Sequence, residues 1–145
     1  MNILERLENG AISNSSTETE SIAQELAALL PREAVLELNG DLGSGKTTFV
    51  KGLAKAWNIQ EVVTSPTFNI FNVHIGSRTL LHMDAYRLEP EKDAMEELMI
   101  EDFVKSPFCL AIEWPGNVST LPWPTTYALD FSIQQEDSRL IRLVL

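Results

Sequence analysis

A single cysteine, two histidines and eleven lysines and arginines among 145 residues leave little material for several kinds of chemistry. Cys109 has no partner for an intramolecular disulfide, and its place inside the apolar run Phe108–Ile112 reads as core packing rather than redox function. His82-x-Asp84 could suggest a metal site on its own, but the remaining histidine, His74, has no ligand-like spacing. The basic residues are scattered and outnumbered by 21 acidic ones, so the net charge is −10. With a pI near 4.6, the chain's field repels phosphate backbones, and any role on RNA would run through a protein partner. No apolar stretch follows basic residues near the start, and no run approaches a membrane span, so the expected location is the cytoplasm and no membrane partner is expected. Repeats and low-complexity tracts are lacking as well. What remains is a chain with 44% apolar residues, enough to bury one core, and residues 1–145 read as a single domain.

The first dozen residues are weakly patterned. Thr17-Glu18-Thr19-Glu20 then resembles a capping box ahead of Ile22, Leu26, Leu29 and Leu30, which predicts a helix from about Thr17 to Leu30 stopped by Pro31. Ala34–Leu38 is a β-prone run ending at Asn39-Gly40, and Phe49, Val50, Leu53 and Trp57 follow at helical spacing. Phe68–His74 and Thr79–Asp84 flank Gly76-Ser77 as a hairpin. Residues from Pro90 to Phe103 are acidic and broadly helical, and Phe108–Ile112 has the continuous apolar character of a strand buried on both faces. Pro115 to Pro124 reads as a loop, and Tyr127–Ile133 turns at Gln135–Ser138 to return as Leu140–Leu145. Helices alternating with strands, plus antiparallel additions, predict an α/β sandwich.

The segment between the first buried strand and its helix carries the chemistry. Gly40-Asp41-Leu42-Gly43-Ser44-Gly45-Lys46-Thr47 matches the Walker A pattern at every specified position. Glycines open backbone angles closed to other residues, so successive N–H groups converge on a phosphate at the helix's positive end. Lys46 is expected to reach the β- and γ-phosphates, Thr47 to ligate Mg²⁺ and Thr48 to add a hydroxyl toward the α-phosphate. The glycine order excludes the dinucleotide fingerprint G-x-G-x-x-G.

Such a loop needs a carboxylate on a neighbouring strand. Glu113 ends the apolar run Phe108–Ile112, at the carboxyl edge where ligands of parallel sheets gather. Asp84 is the second candidate: His82, Asp84 and Tyr86 alternate with Leu81, Met83 and Ala85, and a half-exposed hairpin strand gives the same pattern. Thr64-Ser65-Pro66-Thr67-Phe68, ahead of the hairpin, reads either as a proline turn or as a switch-like loop near the γ-phosphate. Arg87 is the one arginine that the sequence places near these groups.

Together, Gly40 to Thr48, Ser65-Pro66-Thr67-Phe68, His82-x-Asp84-x-Tyr86-Arg87 and Glu113-Trp114-Pro115 resemble the TsaE family, also called YjeE, the ATPases of bacterial tRNA threonylcarbamoyladenosine synthesis. Order and spacing agree from Thr19 to about Pro115. The resemblance implies a P-loop fold with a mostly parallel central sheet and flanking antiparallel strands. It implies ATP as ligand, Mg²⁺ held through Thr47 and Glu113, and a catalytic or metal-linked role for Asp84. It also implies that Asp41, Leu42, Gly43, Ser44, Gly45, Lys46, Thr47, Thr48 and Thr19 hold the nucleotide, and that Trp114 borders the site. TsaB- and TsaD-like proteins are the implied partners, with tRNA reached only through them. Two positions depart from the family pattern: Ser44 stands where Ala is common, and Met99 where Gly often precedes Ile-x-Asp.

Other P-loop classes fit less well. No arginine occurs between Leu88 and Trp123, where a small-molecule kinase would carry a lid. The guanine-reading motif Asn-Lys-x-Asp is absent. A regulatory module that binds ATP without turning it over stays open, because Asp84 and Glu113 serve binding equally well.

Overall fold

In a computed structural model, residues 1–64, 70–88, 100–118 and 121–144 are described. Among the described residues, seven strands form one sheet in the order β1-β7-β6-β2-β5-β4-β3. They are β1 (Ala11–Ser13), β2 (Glu33–Asn39), β3 (Phe71–Ile75), β4 (Thr79–Asp84), β5 (Phe108–Glu113), β6 (Tyr127–Ile133) and β7 (Arg139–Leu143). The four central strands β6, β2, β5 and β4 run parallel, while β3, β7 and β1 add on antiparallel at the two edges. The expected mostly parallel core with antiparallel flanks is therefore the observed one. Its cause is visible in β5, whose six residues are all buried. Only a strand covered on both faces tolerates so continuous an apolar run.

Among the described residues, three helices cover one face: α1 (Ile3–Asn9), α2 (Ser16–Ala27) and α3 (Lys46–Ala56). Ile3, Leu7, Ile22, Leu26, Phe49, Val50 and Leu53 pack there on Ala34, Leu36, Leu38, Leu80, Cys109 and Ala111. The opposite face buries Val35, Leu81, Met83, Leu110 and Ile112 beneath Ile100 of a 3₁₀ turn, Ile100–Phe103, with half-buried Val118, Leu121 and Trp123 alongside. Cys109 is fully buried in the helix-covered face, and burial pushes its thiol up to about 12. That agrees with the core reading and with an unreactive thiol.

Several boundaries differ from the expectation. The weakly patterned start holds α1 and β1; Asn2 caps α1 by accepting from the Glu5 N–H at 2.9 Å, and Gly10 ends it at φ +91°. Helix α2 is capped by Ser15, not Thr17. Ser15 is extended and accepts from the Glu18 N–H at 3.1 Å, while the Glu18 carboxylate accepts from the Asn14 N–H at 2.6 Å. This frame puts Thr19 inside the helix on its buried side. The helix ends at Ala27 rather than Leu30, before the extended backbone that Pro31 imposes on its predecessor. The hairpin forms as β3 and β4, although its first strand begins at Phe71. The segment Ser65-Pro66-Thr67-Phe68, the greater part of the acidic stretch up to Met99, and Leu145 lie outside the described residues.

One packing feature sets the distance between α2 and α3. A Cβ on Gly52 would stand 2.5 Å from the Glu20 carbonyl oxygen and 2.7 Å from the Ala23 Cβ, so the helices approach as closely as a glycine permits. Lys55 and Glu20 pair across the same junction at 2.9 Å. Thr19 is thereby held beside the start of α3.

Candidate functional site

Register brings three strand ends to one place. Leu38 of β2 and Asp84 of β4 both stand opposite Glu113 of β5. The chain leaves β2 at Asn39, runs through the glycine loop and enters α3 at Lys46. Gly45 caps α3 at φ +106°, a left-handed angle that disfavours a side chain, and no side-chain capping bond is made at this end of the helix. The α3 N-terminus thus faces the site with its backbone donors uncapped by side chains, the arrangement that attracts an anion. Gly40 is required on different grounds: a Cβ there would lie 2.6 Å from the Phe131 carbonyl oxygen and from the Ser44 Oγ.

An open cleft of about 620 Å³ lies over these strand ends. Thr19, Leu42, Gly43, Gly45, Lys46, Thr47, Thr48, Asp84 and Glu113 all line it. Asp41 and Ser44 instead line a second cavity of about 480 Å³ on the other side of the loop. The Ser44 hydroxyl is buried without a hydrogen-bond partner among the described residues. Any contribution of these two residues to the cleft would come through the backbone.

Thr47 Oγ1 donates to Glu113 Oε2 at 3.1 Å, which ties the first turn of α3 to the end of β5. The same oxygen meets His82 Nε2 at 2.6 Å. His82 is completely buried, and Glu113 is 4% exposed. Lys46 Nζ donates to the Gly40 carbonyl at 2.5 Å and sits 4.1 Å from the centre of the Trp114 ring. Burial holds the Lys46 ammonium below its ordinary 10.5, against the opposing pull of Glu113, Asp84 and Asp41. Asp84 Oδ1 accepts from the Tyr86 N–H at 3.0 Å, shaping the exit of β4. Asn117 Nδ2 donates to the Ala85 and Tyr86 carbonyls at 2.9 and 3.2 Å, tying that exit to the 3₁₀ turn Pro115–Asn117 after β5. Trp114 lies at φ +59°, a conformation that costs a non-glycine residue about 1–2 kcal/mol. Its ring packs on Tyr86 at 5.1 Å. The bend is what carries the indole over Lys46.

Thr19 is 3% exposed, and its hydroxyl lies 2.6 Å from that of Ser13 at the end of β1. The β6–β7 turn closes the same end of the cleft: Ser138 Oγ donates to Asn14 Oδ1 at 2.8 Å, and Asp137 lines the wall.

Arg139 carries no mark in the sequence, where Arg87 is the one arginine placed near the acidic groups. From the first position of β7, its Nε donates to the Gly43 carbonyl at 3.1 Å, and its Nη1 to the Glu136 and Ser138 carbonyls at 3.2 and 3.1 Å. A guanidinium therefore borders the phosphate loop from 96 residues away. Nothing local to Arg139 marks it for this place; the antiparallel return of β7 beside β6 brings it there. His82 had a signal, as a polar residue in an apolar strand, but no partner could be named without the β4–β5 register.

The donor set suits Mg²⁺ and a phosphate chain. Thr47, Asp84 and Glu113 offer only oxygens, the ligands that Mg²⁺ takes. No group of three or more His, Cys, Asp and Glu gathers among the described residues, so phosphate oxygens would have to complete the shell. No helix among the described residues is long and apolar enough to cross a membrane.

Comparison with known proteins adds an independent line. The family model "Threonylcarbamoyl adenosine biosynthesis protein TsaE" matches residues 13–142. The tRNA threonylcarbamoyladenosine biosynthesis protein TsaE of Treponema pallidum (strain Nichols) is 38% identical over 109 residues, covering 75% of this chain and 80% of that protein. Its counterpart in Bacillus subtilis (strain 168) is 42% identical over 98 residues, covering 67% of this chain and 60% of that longer protein. The crystal structure of Bacillus subtilis YdiB superposes with a TM-score of 0.73 at 32% identity, over 92% of this chain and 82% of that one.

Proposed function

Because the chain belongs to the TsaE family of threonylcarbamoyl adenosine biosynthesis proteins, we propose that it binds ATP with Mg²⁺ in the cleft above α3 and hydrolyses it slowly. The contact that carries this reading is Thr47 Oγ1 to Glu113 Oε2 at 3.1 Å, in a cleft lined also by Lys46 and Asp84. A hydroxyl and a carboxylate held together at the mouth of a glycine loop are what a Mg²⁺-triphosphate complex needs from protein.

Each residue then has a task. Backbone N–H groups of residues 41–47 cradle the phosphates, Lys46 leaves the Gly40 carbonyl and the Trp114 face to pair with the β- and γ-phosphates, and Thr48 serves the α-phosphate. Thr47 and Glu113 hold the metal. Bound Mg²⁺ supplies charge neutralisation of the phosphate oxygens in phosphoryl transfer. Asp84 orients the attacking water and takes its proton. Thr19 closes the nucleoside end, and Arg139 places a further cation beside Gly43.

The work of hydrolysis is spent on a complex with TsaB- and TsaD-like proteins in the cytoplasm, which carries a threonylcarbamoyl group onto the adenosine next to the anticodon of tRNA. The net charge of −10 supports indirect contact with tRNA. The alternative, an ATP-binding regulator without turnover, is favoured by the engagement of Asp84 Oδ1 with the Tyr86 N–H, which occupies one oxygen of the proposed base. Steady-state ATP turnover measured for this chain alone and with purified TsaB–TsaD complex separates the two. The expected outcome is slow turnover alone and at least a tenfold rise with the complex. Equal rates would refute partner activation, and no turnover in either would favour the regulator.

A further inference from the structure

Glu113 is held twice through one oxygen, and one of the two holders has no task in the reading above. Thr47 Oγ1 and His82 Nε2 both bond Oε2, at 3.1 and 2.6 Å, and Oε1 has no hydrogen-bond partner among the described residues. A carboxylate can only accept, so Nε2 of His82 carries the hydrogen. His82 Nδ1 is buried with no partner among the described residues, so the imidazole's one strong interaction is the bond to Glu113. The ring stands in β4 between Leu81 and Met83, opposite Ala111, whose small side chain leaves room for it on the helix-covered face. An apolar residue would fill this position without leaving a buried nitrogen unpaired. Its presence calls for a role at Glu113.

We propose that His82 is the positioning residue of the metal site: its Nε2–H fixes the Glu113 carboxylate through Oε2 and reserves Oε1 for a divalent cation. The inference rests on the reading of Glu113 as a Mg²⁺ ligand. A glutamate has three rotatable bonds, and a competing attraction is the Lys46 ammonium, on which Glu113 exerts the largest electrostatic pull of any group. Yet no carboxylate among the described residues lies within ion-pair distance of Lys46, which bonds the Gly40 carbonyl instead. His82 keeps Glu113 from closing onto Lys46. The carboxylate stays available to a metal, and the ammonium to phosphate. Outer hydrogen bonds of this kind are worth about 10- to 100-fold in metal affinity.

The test measures affinity for a non-hydrolysable ATP analogue by calorimetry, first in EDTA and then across a Mg²⁺ titration, for the wild type, His82→Leu, His82→Gln and Glu113→Ala. His82→Leu should raise the Mg²⁺ needed for half-maximal effect at least tenfold while changing the affinity in EDTA by less than about twofold. His82→Gln, whose amide can donate from nearly the same point, should recover most of the loss. A general loss of structure would lower the EDTA affinity in parallel, and that result overturns the proposal. So do equal shifts in the Leu and Gln variants, or none in either. If His82→Leu does not fold, the Gln variant and ¹⁵N NMR of the wild-type His82 ring decide: a hydrogen on Nε2 is expected, and a bare Nε2 overturns it. If wild type and Glu113→Ala respond alike to Mg²⁺, the metal reading of Glu113 falls and this proposal with it. A shift in Glu113→Ala without one in His82→Leu overturns the role of His82 alone.

Discussion

Lys46→Ala removes an ammonium that is 4% exposed and whose direct partners are a backbone carbonyl at 2.5 Å and an indole ring at 4.1 Å. Neither partner cancels its charge, so the full cation is available to phosphate. A charge-assisted hydrogen bond contributes about 1.5–3 kcal/mol, and bonds to both the β- and γ-phosphates would give about 3–6 kcal/mol. At about 1.4 kcal/mol per tenfold, ATP should bind roughly 10²- to 10⁴-fold more weakly. The lower end is expected, because wild-type Lys46 must itself give up Gly40 and Trp114 on binding. ADP lacks one of the two phosphates and should lose only about half the free energy, so the preference for ATP over ADP should shrink about 10- to 100-fold. Calorimetry with ADP and a non-hydrolysable ATP analogue at fixed free Mg²⁺ measures both, with the melting temperature taken alongside. Unchanged ATP affinity, or equal losses for the two nucleotides, would refute the assignment of Lys46. The pH dependence follows from the same burial. The folded-state pKa lies below 10.5, so the unfolded chain holds the proton more tightly and stability rises with pH between the lowered value and 10.5. ATP affinity should fall over that window as the ammonium discharges. Lys46→Met should abolish both trends.

Three further outcomes are expected. Glu113→Ala should raise the Mg²⁺ required for hydrolysis whereas Asp84→Ala should lower turnover at saturating Mg²⁺, and wild-type titration profiles for both would remove these residues from the site. Gly52→Ala forces its Cβ to within 2.5 Å of the Glu20 carbonyl; it should destabilise the fold by about 1–3 kcal/mol in urea denaturation and weaken nucleotide binding through Thr19, one residue away. Unaltered stability would show that α2 yields freely. Arg139→Ala breaks mostly exposed bonds and should leave the urea midpoint nearly unmoved, yet lower ATP affinity about tenfold, the equivalent of one charge-assisted bond. Equal affinity would reduce Arg139 to a clasp for the β6–β7 turn.

What was legible in the sequence was what local chemistry encodes. The phosphate loop is contiguous, its glycines answer to backbone angles, and the strand before it and the helix after it carry their own periodicity. Residues Phe108–Ile112 announce double-sided burial by composition alone, and Glu113 takes its place from being the next residue along. The caps of α1 and α2 are also written locally, at Asn2 with Glu5 and Ser15 with Glu18, but Thr17 and Glu20 mimic the second pattern two residues further on. Other features have no local mark. The 3.1 Å bond from Thr47 to Glu113 joins residues 66 apart, the His82 bond joins residues 31 apart, and Arg139 reaches Gly43 across 96. Each depends on strand order and register, which are decided by how whole faces bury against one another. A sequence states which side chains want burial or charge; only closure of the sheet determines which of them meet.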